Sequence, residues 1–272
     1  MEIGPLKDGF TVNLPQPKNN VIPSLAFRGL ALGPSSSGKT NAIVTMITDP
    51  RFYGNLFERI FWCSPTAKVD PGLDTLRRYV KTIGQNQEDE PTFHETVDVP
   101  FLQSRVDRAK KVMETMKAKR MTQKGFNTPI VLDDLADIKR GLPAVAKFVD
   151  GLFVKGRHWG ISVILMTQKL KLPLISPTVG VNCTFIMALR LRAWHDLWDG
   201  LIQEYSALVS KDQLYEMYQE AVAIPYGFLY VNMLSQDVDA MFYSGFTDRF
   251  QVTEELRQPR AIAPQYRRAT FV

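Results

Sequence analysis

Residues 30–48 read Leu30-Ala31-Leu32-Gly33-Pro34-Ser35-Ser36-Ser37-Gly38-Lys39-Thr40-Asn41-Ala42-Ile43-Val44-Thr45-Met46-Ile47-Thr48. This stretch decides the fold. The apolar run 25–32 (LAFRGLAL) ends at Gly33-Pro34, which predicts a short buried strand and then a turn. From Gly33 to Thr40 the chain matches G-x-x-x-x-G-K-[ST], a phosphate-binding loop. Gly33 lets the chain turn sharply off the strand, and Gly38 lets the backbone approach a phosphate with no side chain in the way. The amides from Ser35 to Lys39 can then point inward as an anion nest at the positive end of the following helix. Gly33, Pro34, Ser35, Ser36, Ser37, Gly38, Lys39 and Thr40 are therefore the expected ATP-binding set. Lys39 is expected on the β- and γ-phosphates and the Thr40 hydroxyl on Mg²⁺. After the loop, Ala42, Ile43, Met46 and Ile47 recur at helical spacing, and Asp49-Pro50 marks the helix end.

Further along, apolar runs alternate with helical patterns. Residues 59–63 (RIFWC), 129–132, Ile161–Thr167 and 184–189 read as strands, and 144–155 as a helix. A helix is also predicted over 194–209, a closing pair of strands at Phe228–Asn232 and 241–243, and one short strand at 10–14. The alternation predicts an α/β domain with a mostly parallel central sheet flanked by helices. Residues 1–24, with Pro5, Pro15, Pro17 and Pro23, read as an extended lead-in. Residues 25–250 read as a single domain, and 251–272, with Arg257, Arg260, Arg267 and Arg268, as a basic tail.

The stretch from about 66 to 127 interrupts the rhythm and reads as an insertion. It holds a short helix near 73–81, an acidic loop at 85–95 and a longer helical pattern. There Leu102, Val106, Ala109, Met113 and Met116 fall on one face. Over 105–124 the chain carries eight basic residues against two acidic ones. A solvated helix face explains such a run. So does a sequence-independent phosphate-contacting surface made by Lys110, Lys111, Lys117 and Arg120.

Composition sets the outer limits. The 272 residues are 45% hydrophobic and 11% aromatic, enough for a sizeable core, which excludes wholesale disorder. Lys+Arg 33 against Asp+Glu 28 leaves a mildly basic chain that permits a polyanionic partner without demanding one. No apolar run approaches the roughly 18 residues needed to span a bilayer, so no membrane-spanning segment is expected. The N-terminus has no secretory pattern. Cys63 and Cys183 are the only cysteines and have no zinc-ligand spacing.

Two more segments carry chemistry. Pro129-Ile130-Val131-Leu132-Asp133-Asp134 is an apolar strand ending in two carboxylates. Beside a phosphate loop, the first acid is expected to hold Mg²⁺ and the second to orient or deprotonate the attacking water. A turn, or the cap of a following helix, also explains two aspartates at a strand end. The strand Ile161–Thr167 ends at Gln168, placed to sense a γ-phosphate between loop and acids. Arg157, just ahead of that strand in Gly156-Arg157-His158-Trp159, is placed to reach a neighbouring subunit's nucleotide, or to pair with a local acid. His158 is read as packing beside Trp159, with no role of its own.

Together LALGPSSSGKTNAIVTMI, RIFWCSPT, IVLDDL and GRHWGISVILMTQ resemble the genome-packaging ATPases of large double-stranded DNA viruses and virophages. These are the poxvirus-type branch of the FtsK–HerA superfamily. The resemblance spans about 25–189, and the Arg-His before ISVI with the closing Gln is its most discriminating part. It implies an additional-strand, RecA/FtsK-like P-loop NTPase fold, with the acid strand between the phosphate-loop strand and its neighbour. It implies an ATP-driven motor moving double-stranded DNA into a preformed capsid, working as a homo-oligomeric ring of five or six copies against capsid vertex components. It also implies a virus-encoded protein of the host cytoplasm or viral factory, transiently at or within the virion. Carried over, Lys39 and Thr40 bind nucleotide and metal, Asp133 and Asp134 form the Walker B pair, Gln168 is the sensor and Arg157 the trans-acting finger. The chain departs from many such motors in having Asp, not Glu, as second acid. The insertion and the tail match no motif of the family.

Other P-loop classes fit less well. A helicase-like ATPase shares the core motifs. A small-molecule kinase would use an arginine-rich lid, for which 105–120 is the only stand-in. A GTPase needs N-K-x-D, and Thr167-Gln168-Lys169-Leu170 lacks the acid. A non-catalytic nucleotide-holding scaffold has no need of a water-positioning carboxylate.

Overall fold

The computed structural model describes residues 11–134, 142–168, 176–193, 195–203 and 209–252. Its central strand, β1 (Arg28–Leu32), is buried along its whole length. Strands covered on both faces by helices read as continuous apolar runs, which is why LAFRGLAL carries no alternation. Helix α1 (Lys39–Thr48) follows β1 through the phosphate loop. Next come β2 (Phe61–Cys63), α2 (Asp74–Ile83), the edge strand β3 (Phe93–His94), α3 (Val99–Ala118) and β4 (Thr128–Asp133). The second half holds α4 (Leu142–Lys155), β5 (Ile161–Thr167), α5 (Pro177–Asn182), β6 (Phe185–Leu189) and α6 (Lys211–Ala221). Strands β7 (Phe228–Asn232), β8 (Phe242–Ser244) and β9 (Asp248–Arg249) close the described chain.

The strands form one sheet in the order β3-β2-β4-β5-β1-β6-β7-β8-β9. Pairing is parallel from β3 through β6 and antiparallel from β6 through β9. Side chains alternate across the sheet as the strand period requires. Leu30 and Leu32 join the core under α3, α4 and α6, while Ala31 joins the core under α1 and α2. At Gly29 the neighbouring strand comes so close that a Cβ would enter the Phe185 ring.

The strand order corrects one expectation. The acid strand β4 does not border the phosphate-loop strand; β5 lies between them, with Leu32 opposite Thr167 and Asp133 opposite Met166. Strand β5 matches the sequence reading residue for residue. The expected strand at 10–14 is absent over 11–14, where the chain is irregular and Asn13 accepts a hydrogen bond from the Gly125 amide. The helical pattern drawn through 124 stops at Ala118. Its first turn is capped by the Asp98 side chain on the Phe101 amide, and Arg120 already has a left-handed φ of 49°. In the helix expected over 194–209, residues 196–202 form a π-helical turn, whereas 194 and 204–208 lie outside the described residues. The first ten residues of the lead-in and 253–272 of the basic tail lie outside them as well. Residues 66–127 supply α2, β3 and α3, which pack on the same sheet as the rest.

Candidate functional site

In a parallel sheet the carboxyl ends of the strands share one edge, and the loops leaving them meet there. Here those ends deliver the phosphate loop from β1, Ser64 from β2, Asp133 and Asp134 from β4 and Gln168 from β5. Gly33 follows β1 with its amide on the Thr167 carbonyl (3.1 Å), and a Cβ on it would lie 2.8 Å from the Ser37 Oγ and 2.9 Å from the Leu189 Cβ. Gly38 has φ 99°, a conformation that side chains disfavour. It opens α1 without any side-chain cap on the helix amides. The Ser37 hydroxyl is buried and has no hydrogen-bond partner. Uncapped amides and an orphaned hydroxyl at one concave turn fit a polyphosphate, whose oxygens would satisfy both.

Lys39 is buried and folds back over this turn. Its Nζ donates to the Gly33 carbonyl at 2.7 Å and to the Pro34 carbonyl at 2.9 Å. Burial pulls its pKa down, and Asp133 and Asp134 pull it back up. Thr40 follows it, half-buried, in the first turn of α1.

Asp133 is the last residue of β4 and is buried. Burial drives its carboxyl up to about 6; Lys39 opposes this, Asp134 adds to it, a hydrogen bond with Ser64 opposes it, and Asp70 adds to it. A buried carboxylate with two other acids and one lysine nearby suits a cationic partner, although no cluster of three acidic, histidine or cysteine ligands forms among the described residues. Asp134 leaves the strand with φ 47°, a left-handed conformation that Asp tolerates better than most residues. Its amide hydrogen-bonds the Met166 carbonyl at 3.3 Å. The helix-cap alternative for Asp134 concerns residues that lie outside those described.

Gln168 joins the two halves. Its Nε2 donates to Asp134 Oδ2 at 2.9 Å and to Ser35 Oγ at 3.1 Å. One side-chain amide therefore touches both the second acid and the phosphate loop, at the position that β5 occupies between β4 and β1.

Arg157 lies elsewhere. It precedes β5, at the amino end of the sheet, and is exposed. The seven residues of β5 separate it from Gln168, roughly 20 Å at the strand rise, so it does not serve its own phosphate loop. Its Nε lies 3.4 Å from His158 Nε2. His158 is exposed, not packed; what burial it has and the charges of Arg157, Lys117 and Arg28 lower its pKa. Arg28, at the start of β1, is buried with an Nε that has no hydrogen-bond partner.

Lys110, Lys111, Lys117 and Arg120 are all exposed. Lys110 lies 3.9 Å from Glu114 and 5.9 Å from the centre of the Trp159 ring. Arg105 and Arg108 instead reach Glu90, at 3.1 and 3.2 Å, and Arg59 forms a third ion pair with that carboxylate. Burial would raise the Glu90 carboxyl, but the Arg59 hydrogen bond and the three guanidinium charges leave it below the ordinary glutamate value. Arg59 and Glu90 precede β2 and β3, so this cluster sits at the amino end of the sheet, away from the phosphate loop. Arg105 and Arg108 form no lid over the phosphates.

Ser64 and Asp70 carry no motif of their own. Ser64 is found by following β2 to its carboxyl end beside β4. Asp70 is found only in three dimensions: its Oδ1 accepts from the Gly72 amide at 2.8 Å. A Cβ on Gly72 would lie 3.2 Å from Asn41 Oδ1 and 3.3 Å from Thr40 Cγ2.

The fold and this geometry define a P-loop NTPase fold of the RecA/FtsK kind. Three solved structures are similar to it in part. The pCW3 conjugation coupling protein TcpA, determined with ATPγS, is similar over 75% of this chain and 57% of its own, at 15% identity and a TM-score of 0.50. The genome-packaging NTPase B204 of Sulfolobus turreted icosahedral virus 2, determined with AMP, is similar over 78% of this chain and 94% of its own, at 16% identity and a TM-score of 0.46. The cytoplasmic domain of the Type VII secretion ATPase EccC of Thermomonospora curvata is similar over 80% of this chain and 27% of its own, at 13% identity and a TM-score of 0.48. At 15% identity the likeness to TcpA is one of fold. No family model and no curated protein matches the sequence.

Proposed function

We propose that this chain is an ATP-hydrolysing motor that translocates double-stranded DNA into the preformed capsid of the virus that encodes it. The observation that carries the hydrolytic part is the Gln168 amide held between Asp134 and Ser35. A site that merely stored nucleotide has no use for an acid coupled to the phosphate loop. In this reading the loop amides and Lys39 hold the triphosphate, and Lys39 exchanges its two carbonyl partners for phosphate oxygens. Thr40 and Asp133 would hold Mg²⁺, which when bound neutralises charge on the β- and γ-phosphates. Asp134 orients and deprotonates the attacking water. Gln168 registers the loss of the γ-phosphate and passes it to Asp134. Arg157 stabilises the transition state of a neighbouring copy, because its place at the far end of the sheet leaves it no role at its own loop.

Support for the DNA and capsid steps comes from the sequence resemblance and from the exposed bases Lys110, Lys111, Lys117 and Arg120. The fold shared with TcpA supports the nucleotide step. The test is ATP hydrolysis with and without linear double-stranded DNA across a range of protein concentration. DNA stimulation and a rate rising more steeply than concentration are expected, and mixing Arg157→Ala with Lys39→Ala protein should restore activity. Full activity of a strictly monomeric sample, indifferent to DNA, would refute the motor.

A further inference from the structure

The phosphate loop is flanked by an aromatic ring that neither motif nor packing accounts for. Tyr226 is 71% exposed and has φ 62°, a left-handed backbone that is costly for a bulky residue. A Cβ built on Gly38 would lie 3.0 Å from the Tyr226 Cδ1 and 3.3 Å from its Cβ. The tyrosine therefore rests against the phosphate loop at the start of α1. No hydrogen bond, ion pair or ring contact engages it among the described residues.

The corner carrying Tyr226 is anchored. Arg190, just past β6, donates from Nη2 to the carbonyls of Val222 (2.6 Å) and Ala223 (3.4 Å). The Tyr218 hydroxyl accepts from the Leu191 amide at 2.7 Å and donates to the Leu189 carbonyl at 3.2 Å. Inside the corner the Gly227 amide reaches the Ile224 carbonyl at 3.1 Å. Phe228 opens β7 directly opposite Leu189, the last residue of β6. The backbone that carries the ring is thus anchored at the carboxyl edge of the sheet, on the β6–β7 side of the loop.

Strand order supplies the direction. Asp133, Asp134 and Gln168 stand on the β4–β5 side of β1, and they define where the γ-phosphate lies. A triphosphate stretched along the loop then sends its nucleoside end the other way, toward β6 and β7. We propose that Tyr226 is a stacking platform for the nucleobase, holding it by its aromatic face without reading its edge. The inference rests on the nucleotide-binding reading above. A preset, exposed aromatic ring beside a phosphate cradle suits a planar heterocycle, and aromatic stacking tolerates any base because every base has a π-face.

The experiment compares Mg²⁺-ATP, Mg²⁺-GTP and Mg²⁺-tripolyphosphate binding by calorimetry in wild type, Tyr226→Ala and Tyr226→Phe. Tyr226→Ala should weaken both nucleotides about 5- to 150-fold, the range that one base–aromatic stack commands, and leave tripolyphosphate affinity unchanged. That unchanged affinity also certifies the fold of the variant. Tyr226→Phe, which keeps the ring, should restore nucleotide binding. Unchanged ATP affinity in Tyr226→Ala overturns the inference. So does an equal loss for tripolyphosphate, which would make the ring a prop for the loop, or a loss confined to one purine. Wild type that binds neither nucleotide nor tripolyphosphate overturns the nucleotide reading itself.

Discussion

Replacing Asp133 by Asn is expected to stabilise the nucleotide-free protein while disabling it. Asp133 is 8% exposed, and its carboxyl titrates near 6 where the ordinary value is 3.8. The folded chain therefore binds a proton more tightly here than the unfolded chain does. Below about pH 3.8 both states hold the neutral acid, and its contribution to stability is intact. As pH rises the unfolded chain ionises first, and stability falls until the folded carboxyl also ionises near pH 6. Above that the loss is constant, about 3 kcal/mol. Asn carries no charge at any pH and can still accept the hydrogen bond that Ser64 shares with the aspartate. Lys39 remains buried in the variant with Asp134 still near it, and its pull on Asp133 is already contained in the value near 6.

Thermal or urea unfolding of both proteins at several pH values tests this. Asp133→Asn should exceed wild type by about 3 kcal/mol at pH 8, about half of that at pH 5, and little at pH 4. At pH 8 this corresponds to a rise in Tm of roughly 5–10 °C. Mg²⁺-ATP should then stabilise wild type more than the variant, because the metal meets the charge that burial penalises. A variant no more stable than wild type at pH 8, or a gain that persists undiminished at pH 4, refutes burial of the Asp133 charge as the cause.

Asp134→Asn should keep ATP affinity and lose at least about 100-fold in single-turnover hydrolysis, since Asp133 and the loop remain; hydrolysis at the wild-type rate refutes its role as base. Glu90→Gln strips the charge partner from Arg59, Arg105 and Arg108, and urea unfolding should show a loss of about 1–2 kcal/mol, modest because Arg59 and Arg108 stay open to water. That loss should shrink as pH falls below the usual glutamate value, where the wild-type carboxyl also loses its charge. Replacing Lys110, Lys111, Lys117 and Arg120 by Gln should weaken DNA binding alike for all sequences. It should flatten the slope of log K against log salt by about three, since Lys110 already leans on Glu114 and Trp159. An unchanged salt slope returns these residues to an ordinary solvated face.

Much of this molecule is written locally. The loop from Gly33 to Thr40, the acid pair and β5 can be read because each signal lies within a few consecutive residues. The buried stripe of α3 follows from spacing alone, and Leu102, Val106, Met113 and Met116 are all buried. Signals that depend on assembly are not legible in that way. Two residues of β3 are too few for any period to show, and only pairing with β2 makes them a strand. Helix α6 does carry its stripe at Leu214, Met217, Tyr218 and Ala221 behind a Ser210 cap, but a reading that follows apolar runs passes over so polar a segment. The order β4-β5-β1 is set by pairing between strands far apart in the chain, and no local pattern encodes it. Asp70 comes near Asp133 through the β2-β4 pairing and Tyr226 comes to the loop through the β1-β6-β7 side of the sheet, so both are silent in the sequence.

The two ends of the sheet carry opposite electrostatic characters, and this bears on assembly. At the carboxyl end Asp133 and Asp134 face one lysine, and Asp70 adds its charge beside Asp133, a site already acidic before any phosphate arrives. At the amino end Arg28, Arg157 and Lys117 are near enough to depress the pKa of His158, and none of the three has an ion pair among the described residues. Arg28 keeps a buried guanidinium nitrogen unpaired as well. Cations left together without counter-charges repel one another, and the pKa of Arg28 is lowered first by its burial and then by the charge of Arg157. A copy placed head to tail would bring this end against the triphosphate of its neighbour and supply the missing anions. Such contacts join two different surfaces, and a heterologous contact of this kind closes into a ring when its rotation permits. The ring motor proposed above would use an arginine placed in this way. It also explains why the proposed activity should collapse on dilution while nucleotide binding, which needs only one copy, persists.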